Sequence, residues 1–226
     1  MARAVVLSLS LAASSANNIA LNQVPVSGTA LTLNGAAVTG GVATLDNQRR
    51  ILLTFGNEAQ NRTMVITGTN QAGVTISETL AVASGAGGTV ATNQDFFTVT
   101  SAVPAGGGWT AGVTLGTNTV GSTPWQLPNQ HITPFNLDFW IEIATTAVVN
   151  ATLEATYDSI LAPISIYSAG FSTAPPVPVS FDVPGLSGVV ASASGNVNMP
   201  IAGWRLTINS GTDKVIATGS QAGIRN

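Results

Sequence analysis

Hydrophobic and polar positions alternate with a period of two along short runs, and clusters of Gly, Asn or Pro separate these runs. The longest succession covers 49–115, where Val, Ile, Leu, Thr and Phe dominate each run. Because successive side chains of a strand point to opposite faces, this period predicts strands with one face toward a core. The loop 69–73 contains Asn and Gly, which supply the positive φ of a hairpin. We therefore predict a β-meander over 49–115, with another hairpin turn at Asn34-Gly35.

Alternation returns after residue 130 in two further pairs of runs. Residues 136–143 and 148–158 predict one hairpin, and 203–209 with 214–218 predict the last one. No helical period persists for ten residues, so we predict an all-β fold, an antiparallel β-sandwich of jelly-roll-like type. Turn residues from Gly121 to Pro128 predict a domain boundary. The expected organisation is an N-terminal strand or arm (1–29), a β-meander sandwich domain (30–120) and a second β domain (121–226) that includes a long Pro-rich arm or loop (162–188).

The N-terminus imitates a secretion signal, with Arg3 ahead of an apolar stretch. Val5, Leu7 and Leu9 alternate with more polar positions, however, which favours a strand. No apolar run approaches the roughly 20 residues of a transmembrane helix, so we expect no membrane partner.

The composition is low in charge: 8% of residues are charged, against about 25% in an average soluble domain. With 45% hydrophobic residues, much of the surface is expected to be covered by other subunits, which predicts a homo-oligomer. The alternative is a neutral Ser/Thr/Asn surface that hydrates adequately. The seven Lys and Arg residues are scattered and the net charge is −3, so we expect no direct contact with nucleic acid. The absence of cysteine excludes disulfides, thiolate nucleophiles and zinc-thiolate sites.

Catalytic groups are few. The single histidine, His131, follows a proline-bounded loop without a neighbouring carboxylate, which argues against a catalytic triad. Gly106 to Gly108 lacks the Lys and Ser/Thr of a phosphate loop, and we interpret it as a flexible hairpin. We predict no enzyme activity, no cofactor and no metal. One acidic face keeps a calcium site or a glycosidase pair open beside a solvated or partner-facing role: Asp138, Glu142, Glu154 and Asp158.

Four tryptophans, at 109, 125, 140 and 204, are candidates for stacking on sugars, for protein interfaces or for the core. The interface and core interpretations are favoured, because no pattern places several of them on one face. The predicted interface residues are Trp125, Trp140, Trp204, Tyr167 and Phe171.

Several runs resemble structural proteins of tailed bacteriophages and prophages, in particular virion proteins of the head decoration or cement type. The runs are TLNGAAVTGGVATLDNQRRILLTF, VITGTNQAGVTISETL, FFTVTSAV with GVTLGTNTVG, and PIAGWRLTINSGTDKVIATGSQAG. The resemblance covers about 30–223 and departs from the family pattern in the Pro-rich segment 162–188. It implies a non-enzymatic protein that is made in the host cytoplasm, lies on the exterior of the phage head and bridges major capsid subunits.

In that role the N-terminal strand and the Pro-rich arm are expected to reach neighbours, for example by adding a strand to an exposed sheet edge. Low charge predicts contacts that weaken little with salt. A tail, adaptor or fibre-base component and a carbohydrate-binding module are the alternatives.

Overall fold

The computed structural model describes residues 3–129, 132–160 and 178–225. The predicted all-β class is confirmed: these residues form antiparallel strands packed as a sandwich-like fold, with no helix among them and therefore none that could cross a membrane. The strands are β1 (Arg3–Leu9), β2 (Ser15–Gln23), β3 (Val38–Thr39), β4 (Val42–Phe55), β5 (Arg62–Thr69), β6 (Thr75–Val82), β7 (Gly88–Ala91), β8 (Phe96–Ala105), β9 (Val113–Ser122), β10 (Ile132–Ile143), β11 (Val149–Thr156), β12 (Ser180–Asp182), β13 (Ala193–Val197), β14 (Gly203–Gly211) and β15 (Val215–Arg225).

The chain divides into two compact units, each with its own hydrophobic core. The first unit contains residues 1–11 together with 120–226, and the second contains 12–119. The second unit is thus an insertion between β1 and the rest of the first. This differs from the expected separate arm over 1–29, because Leu9 and Leu11 are buried in the core of the first unit.

The first unit is a sandwich of two sheets. One sheet has the order β1-β15-β10-β13, and the other contains β12, β11 and β14 with the last residues of β9. The inward residues of β10 and β11 are buried and meet in one core, as their alternation predicts. The chain changes sheets between β10 and β11, and again between β14 and β15.

These two changes of sheet overturn two predicted hairpins. β10 pairs with β15 and β13, whereas β11 pairs with β14 and β12. Two hairpin strands and two strands that face each other across a sandwich both present one alternating apolar face to the core. The sequence pattern therefore cannot distinguish the two arrangements.

The two segments that were expected to be arms, at the N-terminus and in the Pro-rich region, are wholly or partly paired at the edges of this unit. β1 pairs with β15 over seven residues, from Arg3↔Gln221 to Leu9↔Val215, so the N-terminal strand lies in its own sheet. At the far end of the Pro-rich segment, β12 pairs with β11, and Val183 and Leu186 are fully buried. The end of this segment is therefore fixed to the first unit by strand pairing and two core residues, while 162–177 lie outside the described residues.

In the second unit the sheet has the order β9-β4-β8-β5-β6, and β2, β3 and β7 add at its sides. The hairpin predicted around 69–73 is present, with β5 and β6 paired from Arg62↔Val82 to Thr69↔Thr75. The predicted meander is wrong, since β8 lies between β4 and β5.

The hairpin turn predicted at Asn34-Gly35 is also wrong. Gly35 donates its N–H to the carbonyl of Ile19, and a Cβ at Gly35 would lie 2.2 Å from the carbonyl carbon of Asn18. This glycine thus permits close backbone contact and does not form the predicted hairpin turn between two strands. The turn instead occurs at Gly40-Gly41, both with positive φ, between the paired residues Thr39 and Val42.

A buried arginine holds the second unit together where the chain enters and leaves it. The side chain of Arg49 is 1% exposed and pairs with Asp46 at 3.1 Å. Its guanidinium donates to the carbonyl of Ala12 at 2.8 Å and to that of Asn118 at 3.0 Å. Asp46 in turn accepts the N–H of Ala12 at 2.7 Å. Both chain ends of the unit are therefore fixed to one ionic cluster.

A second buried ion pair fixes the glycine loop 106–108, which was predicted to be flexible. Glu58 and Arg62 are both buried, 3.8 Å apart. Arg62 donates to the carbonyls of Gly106 and Gly108, while Glu58 accepts the N–H groups of Thr110 and Ala111. The loop is thus anchored from both sides.

Because Arg49 is buried in this cluster and Arg50 is not, we expect substitutions at the two positions to differ in their effect on stability. Arg49→Lys keeps the charge but cannot serve Asp46, Ala12 and Asn118 together, so buried carbonyls lose their donors. We expect a loss of about 2–4 kcal/mol in the free energy of unfolding, measured by urea titration. Arg50→Lys is the matched control, because that side chain is 38% exposed and its contact with Asp95 is 3.9 Å long; its loss should stay below about 1 kcal/mol. Equal losses would contradict the assigned role.

Candidate functional site

The outward face of the sheet β1-β15-β10-β13 is the best candidate for a functional surface. Strand register aligns Val6, Thr218, Trp140 and Ser194 in one row across the four strands. Neighbouring outward residues are mostly small or polar. We call this surface the Trp140 face, and it consists of that row, the row Ala4, Ser220, Asp138 and Asn196, and the row Ser8, Ile216 and Glu142.

Trp140 lies near the middle of this face, and its residue surface is 47% exposed. Val6, two strands away in the same row, is 63% exposed. Phe139 and Ile141, the neighbours of Trp140 along β10, are buried in the core. The indole is thus held outward by a strand whose opposite face is locked by packing. A large aromatic side chain fixed in this way on the outer face of a sheet is a typical contact residue.

The acidic face predicted from the sequence is divided. Asp138 and Glu142 flank Trp140 on β10, but Glu154 lies on β11 in the other sheet. Asp158 follows β11 and accepts the N–H of Val179 at 2.7 Å. Because the predicted hairpin does not exist, the four carboxylates do not converge. The described residues contain no group of three or more His, Cys, Asp and Glu side chains that could hold a metal ion.

Trp125 takes part in a different cluster, on the outward side of β11 and β14. The guanidinium of Arg205 lies 4.6 Å from the centre of the Trp125 ring. Its Nε donates to Glu154 at 2.6 Å, and Glu154 also accepts the hydroxyls of Thr207 and Ser180. This indole is half-buried and already has a cation against it, so we interpret the cluster as structural.

The environment of Glu154 sets its ionisation. Burial alone would raise the pKa of this carboxyl group, but the charge of Arg205 and the hydrogen bonds from Thr207, Arg205 and Ser180 outweigh burial. Together they hold the pKa of Glu154 below its ordinary value. The carboxylate therefore stabilises the fold in its charged form.

The remaining predicted interface residues do not join the Trp140 face. Trp204 is 2% exposed and packs edge-on against Phe139, with ring centres 5.1 Å apart. It crosses the core to Gly219, where an added Cβ would lie 2.7 Å from the indole. The interface prediction for Trp204 is thus replaced by a core role. Tyr167 and Phe171 lie outside the described residues, as does His131.

Sequence reasoning placed Trp140 on an outward face but missed its neighbours. Val6, Thr218 and Ser194 come from three distant strands, and only the register brings them together. The alternation within each strand indicated which residues point outward. Nothing in the sequence indicated which strands are adjacent.

Comparisons with known proteins assign the chain to no family. No protein-family model matches it. Neither the curated proteins nor the solved structures include a significant match.

The Glu154 cluster predicts a specific acid sensitivity. Since the folded state lowers the pKa, its contribution is complete above the ordinary value of 4.5 and is lost as the pH falls from there through the folded value. Glu154→Gln should lower the free energy of unfolding by about 1–3 kcal/mol at neutral pH. Urea titrations from pH 7 to pH 3 should show the wild type and the variant converging.

Glu142→Gln is the control for Glu154→Gln, because it removes a carboxylate that lies outside this cluster. A constant difference between wild type and Glu154→Gln over the whole pH range would contradict the assignment.

Proposed function

We propose that this chain is a non-enzymatic structural protein of a tailed-phage virion, of the head decoration type, that binds outside the capsid and bridges neighbouring major capsid subunits. The observation that carries the proposal is the Trp140 face, a sheet surface that exposes an indole on a protein with few charges. The resemblance of the β-strand runs quoted above to such proteins points in the same direction.

A decoration protein opposes the separation of capsid subunits under internal DNA pressure. Many modest contacts, multiplied over many copies, supply this resistance without any single tight site. A strand-borne tryptophan suits the task, because a rigid aromatic side chain gives a large contact area at low entropic cost. The Trp140 face provides such a contact on the first unit.

Bridging requires more than one contact surface on each chain. In the second unit, Leu21, Val24 and Val26 are exposed apolar residues on and after β2. Two units with separate cores can each present a surface to a different neighbour. The N-terminal strand contributes as part of the folded sheet rather than as a free arm, because β1 is paired along its length with β15.

The proposal is tested by counting copies. Purified protein is added to capsids assembled without it, the capsids are sedimented, and bound chains are counted. We expect saturation at several copies per capsomer and reduced occupancy for Trp140→Ala. Tyr157→Ala removes another exposed aromatic side chain, outside the Trp140 face, and should bind as the wild type does. Binding of only a handful of copies per particle would overturn the decoration role in favour of a tail or adaptor component.

A carbohydrate-binding module is the second candidate, and the same face favours it. An exposed indole stacks on the apolar side of a sugar ring, and flanking carboxylates accept hydrogen bonds from its hydroxyls. On a glycan array this alternative predicts saturable binding that Trp140→Ala abolishes. An array without such binding would remove it.

A further inference from the structure

We propose that the Trp140 face recognises an arginine-bearing surface of a partner protein, with the guanidinium lying on the indole of Trp140 between Asp138 and Glu142. This inference deepens the proposed function and rests on it for the identity of the partner, which would be a capsid subunit. The recognition chemistry itself can be tested without a capsid.

The geometry of β10 supports this arrangement. Residues 138, 140 and 142 point to the same face, and each is separated from the next by about 6.7 Å along the strand. The indole therefore has one carboxylate on each side. A guanidinium that stacks on an aromatic ring lies parallel to it, and its N–H groups point outward in the guanidinium plane, where carboxylate oxygens beside the ring can accept them.

Within the described residues, few groups neutralise the negative charges of Asp138 and Glu142. Asp138 accepts a hydrogen bond from the Asn136 amide at 3.5 Å, and neither Asp138 nor Glu142 has an ion pair in this part of the chain. Lys214, an exposed cation, lies two residues beyond Ile216 at the end of the sheet, on the same side as Ile216 and diagonal to Glu142. The face is thus acidic around its aromatic centre, and a cationic partner complements it.

The described side chains of a second copy offer few guanidinium groups for this face. Arg49 and Arg62 are buried, and Arg205 is held between Trp125 and Glu154. Arg50 is directed toward Asp95. Among the side chains that the structure describes, Lys214 is the exposed cation without an ion pair, so a different protein is the better source of the guanidinium.

Arginine is favoured over lysine for a geometric reason. The guanidinium is planar and less strongly hydrated than an ammonium group, so it can stack on the indole and donate to both carboxylates at once. A lysine places one compact charge and cannot do both.

The experiment uses the full chain and a short peptide, Ac-Gly-Arg-Gly-Arg-Gly-amide, as the probe. Titration is followed by the indole and backbone N–H signals in two-dimensional NMR spectra of the ¹⁵N-labelled protein. We expect saturable shifts at Trp140 and at the backbone of Thr218 and Ser194, with the indoles of Trp109 and Trp204 unchanged. The lysine peptide should bind about 3-fold or more weakly, and a glutamate peptide should give no shift.

Variants separate the two parts of the contact. Trp140→Ala should abolish saturable binding, and Asp138→Asn with Glu142→Gln should weaken it about 3- to 10-fold and reduce its dependence on salt. All three side chains point outward, and Tyr157→Ala serves as the exposed aromatic control that leaves binding unchanged. Absence of a saturable shift at Trp140, or equal affinity for the double variant and the wild type, would overturn the proposal. Self-association that depends on Trp140 would overturn it in favour of a second copy.

The failures of the two proposals are distinguishable. Capsid saturation without peptide recognition leaves the decoration role and removes the arginine contact. Peptide recognition without capsid saturation keeps the contact and removes the capsid as its partner.

Discussion

The structure of the first unit depends on the packing of two sheets between which the chain passes repeatedly. Between β10 and β11, and between β14 and β15, the backbone leaves one sheet and enters the other. Consecutive strands such as β10 and β11 therefore lie in different sheets, and their apolar faces meet across the core. This constraint sends Trp204 inward to Phe139 and Gly219 and leaves Trp140 outward. It also separates Asp138 and Glu142 from Glu154, which removes the basis for a catalytic or metal-binding acidic cluster.

Buried charged side chains fix chain ends, a loop and neighbouring strands through ion pairs and hydrogen bonds. Arg49 joins the two chain ends of the second unit, and Arg62 with Glu58 anchors a glycine loop. Glu154 and Arg205 connect neighbouring strands β11 and β14 beneath Trp125. Such groups are costly to bury and strongly destabilising when one partner is removed. Of the four arginine side chains that the structure describes, three are thereby used within the fold.

The sequence predicted the local features well and the pairing of distant strands poorly. Alternation along 136–143 placed Phe139 and Ile141 in the core and Trp140 outside, since the side-chain period of a strand is fixed by covalent geometry. The loop 69–73 was identified because Asn and Gly are required there by turn geometry. The neighbours of Trp140, by contrast, are set by the register of β1, β13 and β15. That register arises from the summed packing of the core, and no short motif records it. The insertion of residues 12–119 into the first unit was hidden for the same reason.

The proposed function requires that the Trp140 face is covered when the protein binds a capsid. Because the chain has no cysteine, single thiols can report on this directly. Ser194→Cys places a thiol beside Trp140, and Ala72→Cys places one at the exposed β5–β6 turn of the second unit. The rate of maleimide labelling would be measured for free and capsid-bound protein. The account predicts that binding slows labelling at residue 194 far more than at residue 72. Equal labelling of residue 194 in the free and bound protein would contradict it.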